Sequence, residues 1–223
     1  MRIFYISLSC EITDLIAAAI MNNALIAKGM QELSSADSDI AEAFALYGLP
    51  AELKHATGFE AFLKIIVNQQ LSIKAAASIL GRVLLLMDKC TAEQFLAIPF
   101  ERLREAGMSA RKIEYAKGIA EAISNGSFDI DGIQRLNNED AITEITKLKG
   151  LGRWSAEIYL MFSLGRLDIF PADDLALLLS LQKLKKLENR PTAKEAREML
   201  AHWAPWRSVG SLFLWHCYTN FNE

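Results

Sequence analysis

The sequence has 223 residues, enough for one large domain or two small ones. With 52% apolar and 23% charged residues, 12 glycines and 5 prolines, it excludes a disordered chain and supplies a sizeable core. The net charge of −3 argues at first sight against a nucleic-acid partner, because such domains usually carry a basic excess. The imbalance is local: residues 1–60 hold three basic and eight acidic side chains, and residues 61–223 hold 21 basic and 19 acidic.

The three cysteines, Cys10, Cys90 and Cys217, lie far apart and match no CxxC spacing. They are too few to supply four ligands to an iron–sulfur cluster. The three histidines show no metal-binding spacing either. We therefore expect a reduced, cytoplasmic protein without cysteine chemistry.

Residues 1–29 differ in character from the rest of the chain. The apolar stretch from Ile12 to Ala27 is interrupted by polar residues and is shorter than the ~20 residues of a membrane-spanning helix. It also lacks a clear signal-peptide cleavage site. The acidic segment after Met30 is typical of a chain start. We interpret residues 1–29 as an N-terminal extension or a misassigned start, with no membrane partner.

From Asp39 onward the apolar periodicity is helical nearly throughout. Thr91 is a candidate N-cap for a helix over residues 92–97, and Ser109 for a helix that ends at Asn125. Asn137 or Asn138 can cap a helix that ends at Lys147. Further helices are expected over residues 75–86, 153–164, 175–187, 192–201 and 208–218. About ten short helices without a convincing sheet predict an all-α protein.

The stretch LKGLGRWSA, residues 148–156, predicts a hairpin between two helices. Gly150 and Gly152 permit positive φ, and they leave no Cβ to obstruct a close neighbour. Leu151 would fill the groove between the helices. The N–H groups that open the second helix can bind an anion such as a DNA phosphate, with positive charge from Lys149 and Arg153. An ordinary helix connection is the alternative.

Two further features combine polar groups with apolar helices. Asp173 and Asp174 come directly before an apolar helix, where either can serve as the N-cap while its neighbour faces a substrate. Gln69 and Gln70 interrupt another apolar region, and buried amides would need hydrogen-bond partners there. The glutamines therefore either face a ligand or lie on a solvent-exposed loop.

Four motifs in order carry a resemblance to a known family. They are FEAF (59–62) followed by IVNQQLS (66–72), LKGLGRWSA (148–156), FPADD (170–174) and WAPWRS (203–208). Over roughly residues 38–218 the chain resembles the helix–hairpin–helix DNA glycosylase superfamily, and within it the DNA-3-methyladenine glycosylase II branch. Together the motifs are far more specific than the hairpin alone.

The resemblance implies an all-α fold of two helical subdomains with a cleft between them. Residues 61–165 would form the central subdomain with the hairpin, and residues 31–60 with 166–223 the second, which carries the catalytic aspartate. The implied partner is double-stranded DNA with alkylated bases, bound by a monomer that is nucleoid-associated in a prokaryote. One nucleotide would be flipped out, because side chains cannot reach the glycosidic bond of a stacked base.

The implied activity is that of a monofunctional DNA glycosylase in base excision repair. Such an enzyme hydrolyses the N-glycosidic bond of alkylated purines such as 3-methyladenine and 7-methylguanine, and it leaves an abasic site. Asp174 is the implied catalytic residue, which stabilises positive charge on the sugar and activates water; a helix cap alone is the alternative. Trp154 stands where bifunctional relatives carry a lysine, so no Schiff base is expected.

The resemblance also assigns the remaining site residues. The base pocket would be lined by Trp154, Trp215, Gln69, Ile158 and Leu175. The two tryptophans would attract a cationic base by cation–π interactions of about 0.5–2 kcal/mol, unless they are core aromatics. Gln70 would fill the gap left by the flipped nucleotide, with Leu71 as the competing choice.

The hairpin would hold a DNA phosphate through Lys149, Gly150, Leu151, Gly152, Arg153 and Ser155. The carbonyls of Thr146, Leu148 and Leu151 would bind a structural monovalent cation, and no cofactor is required. Arg207 is a candidate for either a structural ion pair or a phosphate contact.

Two other functions stay open. One is a non-catalytic DNA-binding module that keeps the hairpin, against which Asp174 and the tryptophans argue. The other is a superfamily member of different specificity, for oxidised-base or mismatch repair. The missing cysteine cluster and the tryptophan at position 154 argue against that second alternative.

Overall fold

A computed structural model describes residues 21–52 and 56–220 of the chain. In these ranges twelve α-helices follow one another: α1 Asn23–Ala36, α2 Ser38–Tyr47, α3 Gly58–Asn68, α4 Ile73–Leu84, α5 Ala92–Ala97, α6 Phe100–Glu105, α7 Ala110–Ser124, α8 Asn138–Thr146, α9 Arg153–Ile158, α10 Leu175–Leu184, α11 Ala193–Met199 and α12 Arg207–Asn220. The described residues contain no strand, which confirms the all-α class. None of their helices is long and apolar enough to cross a membrane.

Side-chain caps determine several helix starts, as the sequence predicts. The hydroxyl of Thr91 accepts a hydrogen bond from the Gln94 N–H at the start of α5. The hydroxyl of Ser109 accepts one from the Lys112 N–H at the start of α7. Of the two candidates at α8, Asn137 is the cap. Each cap satisfies an N–H group that has no partner within the helix, and it contributes about 1 kcal/mol.

The N-terminal boundary expected after residue 29 falls inside α1. Asn22 caps this helix, because its side chain accepts a hydrogen bond from the backbone N–H three residues farther on. Ile26 is fully buried, and Gly29 packs so closely that an added Cβ would lie 2.8 Å from the ring of Trp206. The helix is therefore part of the folded protein from its first turn. Residues 1–20, the rest of the expected extension, lie outside the described residues.

The chain divides into two compact units. One comprises Met1–Leu53 and Leu164–Glu223, and the other comprises Lys54–Ser163. The expected start of the central subdomain at residue 61 lies within α3, whose first residue is Gly58. The contacts of the helix explain the difference, since α3 packs against α4 and α7 of its own unit.

A buried carboxylate fixes helix ends in the first unit. Asp37 caps α2, and its side chain accepts hydrogen bonds from Lys185 Nζ at 2.6 Å and from Trp203 Nε1 at 2.7 Å. Lys185, which follows α10, also binds Asp39 at 2.8 Å. Burial alone would raise the pKa of Asp37, but the bonds from Lys185, Trp203 and His202 outweigh it and lower the pKa to about 2.

Helix α3 supplies much of the core of the second unit. Seven of its residues are buried: Phe59, Ala61, Phe62, Leu63, Ile65, Ile66 and Val67. The ring of Phe62 stacks on Tyr159 with centroids 4.2 Å apart, and it meets the ring of Phe128 nearly edge-on at 5.8 Å. Tyr159 begins a π-helical turn directly after α9. This packing therefore holds α9, and the hairpin before it, against α3.

Candidate functional site

Asp174 is the N-cap of α10, in the first unit. Its Oδ1 accepts a hydrogen bond from the Leu177 N–H at 3.1 Å. The backbone before it turns tightly, since the Asp174 N–H donates to the Pro171 carbonyl at 2.9 Å. The capping role and the expected catalytic role therefore fall on the same carboxylate, and not on two neighbours as the sequence allowed.

A second donor reaches the same oxygen from α12. The indole N–H of Trp215 donates to Asp174 Oδ1 at 3.1 Å. Two donors on separate helices thus fix the orientation of a carboxylate that stays half-exposed. Sequence reasoning placed Trp215 in the wall of a pocket and missed this bond. No local pattern signals a contact between residues 41 positions apart.

The two neighbouring aspartates have different surroundings. Asp173 is exposed and forms an ion pair with Arg197 of α11 at 3.4 Å. Leu175, one of the expected pocket residues, follows Asp174 and leaves 55% of its surface exposed. Of these two aspartates, it is Asp174 whose carboxylate is held by both a helix N–H and an indole N–H.

An ion pair secures the chain segment that leads to Asp174. Arg207 Nε donates to Asp168 Oδ1 at 2.5 Å and its Nη2 to Oδ2 at 2.7 Å. The hydrogen bonds that Arg207 donates to Asp168 raise the pKa of Arg207. Next to this pair, the Ile169 N–H donates to the Ser208 hydroxyl at 3.0 Å. Of the two roles left open for Arg207, the structure shows the ion pair, which joins the segment before Asp174 to the start of α12.

The hairpin in the second unit has the predicted tight turn. The Leu151 N–H donates to the Leu148 carbonyl at 3.1 Å, and the Leu151 side chain is buried as expected. Gly150 has φ +94°, and a Cβ there would overlap the ring of Tyr115. Gly152 has φ −100° and open space around it. Only the first of the two glycines is therefore required by its conformation.

The basic side chains of the hairpin already have acidic partners. Lys149 Nζ lies 2.6 Å from Glu114, and this ion pair raises the pKa of Lys149. Arg153 forms a two-bond ion pair with Glu139 at 2.6 and 2.9 Å, and its Nε donates to the buried Glu157 at 2.9 Å. The hydrogen bonds that Arg153 donates to Glu139, together with the negative charge of Glu157, raise the pKa of Arg153 despite its partial burial. Carboxylates thus balance the positive charge expected at this edge.

Gln69 connects the hairpin to the turn after α3. Its Nε2 donates to the Gly150 carbonyl at 2.9 Å. Sequence reasoning assigned Gln69 to the base pocket, whereas the structure shows its amide bonded to the hairpin. The next residue, Gln70, is exposed with φ +56°, and Leu71 is 39% exposed. The expected gap-filling residues therefore lie on a turn that is tied to the hairpin.

Helix α9 carries three further expected site residues. Trp154 and Ile158 are half-buried, and their spacing of four places them on one helix face. Ser155 is 3% exposed, so its side chain belongs to the interior. The N-cap of the helix is Gly152, which supplies no side-chain hydrogen bond.

The expected cation ligands are backbone carbonyls at the end of α8 and in the hairpin. Thr146 is the last residue of α8, and the Leu148 carbonyl accepts a bond from the Leu151 N–H. Within residues 21–52 and 56–220, no group of three or more His, Cys, Asp or Glu side chains could hold a metal ion. The monovalent cation at the carbonyls of Thr146, Leu148 and Leu151 stays a prediction.

Comparison with known proteins identifies the family. A family model described as "HhH-GPD superfamily base excision DNA repair protein" matches residues 63–205. The chain is an HhH-GPD protein. This HhH-GPD chain is 36% identical to DNA-3-methyladenine glycosylase 1 of Schizosaccharomyces pombe over 161 residues, which are 70% of the chain and 71% of the relative. The resemblance to the DNA-3-methyladenine glycosylase branch is therefore confirmed.

Solved structures of HhH-GPD relatives have the same fold. The 3-methyladenine DNA glycosylase Mag1 of Schizosaccharomyces pombe, in complex with abasic DNA, has a TM-score of 0.73 and 32% identity, covering 84% of this chain and 95% of the relative. A DNA-3-methyladenine glycosidase from Bacillus halodurans has a TM-score of 0.77 and 32% identity, covering 87% and 90%. The predicted helix–hairpin–helix glycosylase fold is confirmed.

Proposed function

We propose that this HhH-GPD protein is a monofunctional DNA glycosylase of base excision repair. Its substrates are alkylated purines in double-stranded DNA, such as 3-methyladenine and 7-methylguanine, and its product is an abasic site. The observation that carries the proposal is the Asp174 carboxylate, held by the Leu177 N–H and the Trp215 indole in a chain of this family. We further propose that the protein acts as a monomer.

The carboxylate acts where positive charge develops. An alkylated purine is cationic, so it leaves C1′ with the electron pair of the N-glycosidic bond and becomes neutral. Positive charge then builds on the deoxyribose, and the Asp174 carboxylate stabilises it. A water oxygen forms the new bond to C1′, and the water proton passes to the carboxylate as general base. Because two donors fix Oδ1, the carboxylate needs little reorientation during the reaction.

Recognition of the base is assigned to the aromatic and aliphatic side chains. The electron-rich face of Trp154 attracts a cationic purine over a neutral one by cation–π interaction, about 0.5–2 kcal/mol. Ile158 and Leu175 contribute apolar surface. Trp215 lines the proposed pocket and also orients Asp174 through its indole N–H. Gln69 contributes by holding the turn before α4 in position.

The absence of an amine at residue 154 makes the enzyme monofunctional. A lyase forms a Schiff base between a lysine and C1′, and borohydride reduces that intermediate to a stable protein–DNA complex. The tryptophan indole cannot form it, so water is the nucleophile. Treatment of a reacting mixture with borohydride should trap no covalent complex, and a trapped complex would refute this assignment.

DNA is held mainly by backbone groups of the hairpin. The N–H groups at the start of α9 donate to a phosphate, as helix N-termini do. Because Lys149 and Arg153 are already paired with carboxylates, few phosphates are neutralised by side chains. The affinity for undamaged DNA should therefore depend only weakly on salt. A monovalent cation on the carbonyls of Thr146, Leu148 and Leu151 would stabilise the turn, and replacing K⁺ by a bulky organic cation should then lower the melting temperature.

The direct test is base release from damaged DNA. Duplexes that carry a single 7-methylguanine, or 3-methyladenine formed by a methylating agent, are incubated with the protein, and the free base is quantified. Release of the base with an abasic site left in the strand supports the proposal. Tight duplex binding without release would instead favour a non-catalytic DNA-binding module.

A further inference from the structure

The turn between α3 and α4 exposes an isoleucine that the proposed function does not use. Ile73, the first residue of α4, leaves 86% of its surface in solvent. Leu71, two residues earlier, is 39% exposed. Exposed aliphatic side chains forgo the stabilisation of burial, and a cluster of them often marks an interaction surface.

The backbone holds this turn in one conformation. Gln70 has the left-handed φ of +56°, which is uncommon for a non-glycine residue. On one side, Gln69 donates to the Gly150 carbonyl at 2.9 Å. On the other side, the Ser72 hydroxyl caps α4 by accepting the Ala75 N–H at 3.3 Å. The position of Ile73 is thus fixed relative to the hairpin.

Exposure alone does not identify the surface, since Leu85 at the other end of α4 is also 86% exposed. The two side chains differ in what lies beside them. Ile73 follows the turn that is bonded to the hairpin, whereas Leu85 lies twelve residues away, about 18 Å along a helix. Continuity with the proposed DNA-binding hairpin distinguishes the isoleucine.

We propose that Ile73 is a further DNA-contacting residue, which packs on the base edges and deoxyribose beside the gap left by the flipped nucleotide. This proposal rests on the proposed function. Apolar side chains commonly wedge against unstacked base steps, where they replace the lost stacking contacts. Gln70 or Leu71 enters the gap itself, and Ile73 keeps the neighbouring nucleotides in the kinked arrangement. The contact is apolar, so it stabilises distorted DNA without neutralising a phosphate.

The test compares two β-branched replacements of Ile73 in the 223-residue protein. Ile73→Thr and Ile73→Val both remove the δ-methyl group of isoleucine, and they differ only in that threonine has a hydroxyl where valine has a methyl group. Leu85→Thr, at the residue that directly follows α4, is the matched control. The measured quantity is the Kd for a duplex that contains a tetrahydrofuran abasic analogue, determined at several salt concentrations.

We expect Ile73→Thr to raise this Kd about tenfold, because each apolar contact that is lost weakens binding. Ile73→Val should bind nearly as wild type, and Leu85→Thr should bind as wild type. The slope of log Kd against log salt should be unchanged in all variants, since no phosphate contact is removed. Unaltered binding by Ile73→Thr, or equal losses in Ile73→Val or Leu85→Thr, would overturn the proposal.

Base release separates this proposal from the proposed function. If the wild-type protein releases 7-methylguanine but Ile73→Thr binds the analogue normally, the role of Ile73 is refuted and the glycosylase activity stands. If the wild type binds the analogue in an Ile73-dependent manner but releases no base, the glycosylase activity is refuted and the DNA contact stands.

Discussion

Replacing Trp215 by phenylalanine removes one hydrogen bond from the proposed catalytic carboxylate while keeping an aromatic face. The indole N–H donates to Asp174 Oδ1 at 3.1 Å, and the Leu177 N–H then remains to hold the same oxygen. A hydrogen bond to a charged group contributes roughly 1.5–3 kcal/mol. Because both residues are half-exposed, we take the lower value. The rate of base release should then fall about tenfold, since 1.4 kcal/mol corresponds to a factor of ten.

The assay is single-turnover release of 7-methylguanine from a duplex, with enzyme in excess. The Kd for the abasic-analogue duplex should change little, because the lost bond orients the carboxylate. Trp206→Phe is the matched control: Trp206 is also half-buried in the same unit, and its ring lies 5.9 Å from the Lys28 ammonium. An unchanged rate in Trp215→Phe, or an equal loss in Trp206→Phe, would refute the positioning role of Trp215.

Two further predictions concern stability. Gly150→Ala should lower the melting temperature by several degrees, because residue 150 has φ +94° and a Cβ there would overlap the ring of Tyr115. Gly152→Ala is the control and should leave the melting temperature unchanged, since residue 152 has φ −100° and open space around it. Equal losses in the two variants would contradict the requirement for glycine at position 150. Asp37→Asn should lower the free energy of unfolding by about 2 kcal/mol at pH 7, since the pKa of Asp37 is lowered from 3.8 to about 2 in the folded state. The ionised Asp37 stabilises the folded state above pH 3.8, and this stabilisation is lost as the pH falls through 2. The free energies of unfolding of variant and wild type, measured with urea, should therefore converge in acid. A difference between them that persists below pH 2 would show that it does not come from the ionisation of Asp37.

Features that depend on neighbouring residues were predictable from the sequence. Thr91 and Ser109 cap their helices by accepting a hydrogen bond from the N–H three residues farther on. Such a bond depends on no distant residue. The hairpin turn, with its glycine at positive φ and buried Leu151, follows equally from local chemistry. Asn22 is one of the polar residues that interrupt the apolar stretch from Ile12 to Ala27, and in the structure it caps the start of α1.

Features that depend on distant residues were not predictable. Gln69 and Gly150 are separated by 81 positions, and Asp174 and Trp215 by 41, so nothing local indicates that they bond. The charge at the hairpin shows the same limit. From the sequence, Arg153 was expected to supply positive charge for a DNA phosphate. In the folded chain it forms a two-bond ion pair with Glu139. The polar and charged side chains of the site could be identified from the sequence, but their hydrogen-bond and ion-pair partners could not.

The central claim is that the Asp174 carboxylate performs the hydrolysis, and Asp174→Asn tests it most directly. The amide retains an oxygen that can accept the bonds from Leu177 and Trp215, so the cap of α10 and the fold should persist. The negative charge and the general base are lost. We predict that single-turnover release of 7-methylguanine is abolished while the Kd for the abasic-analogue duplex stays measurable and the melting temperature changes little. Near-normal release by Asp174→Asn would contradict the account.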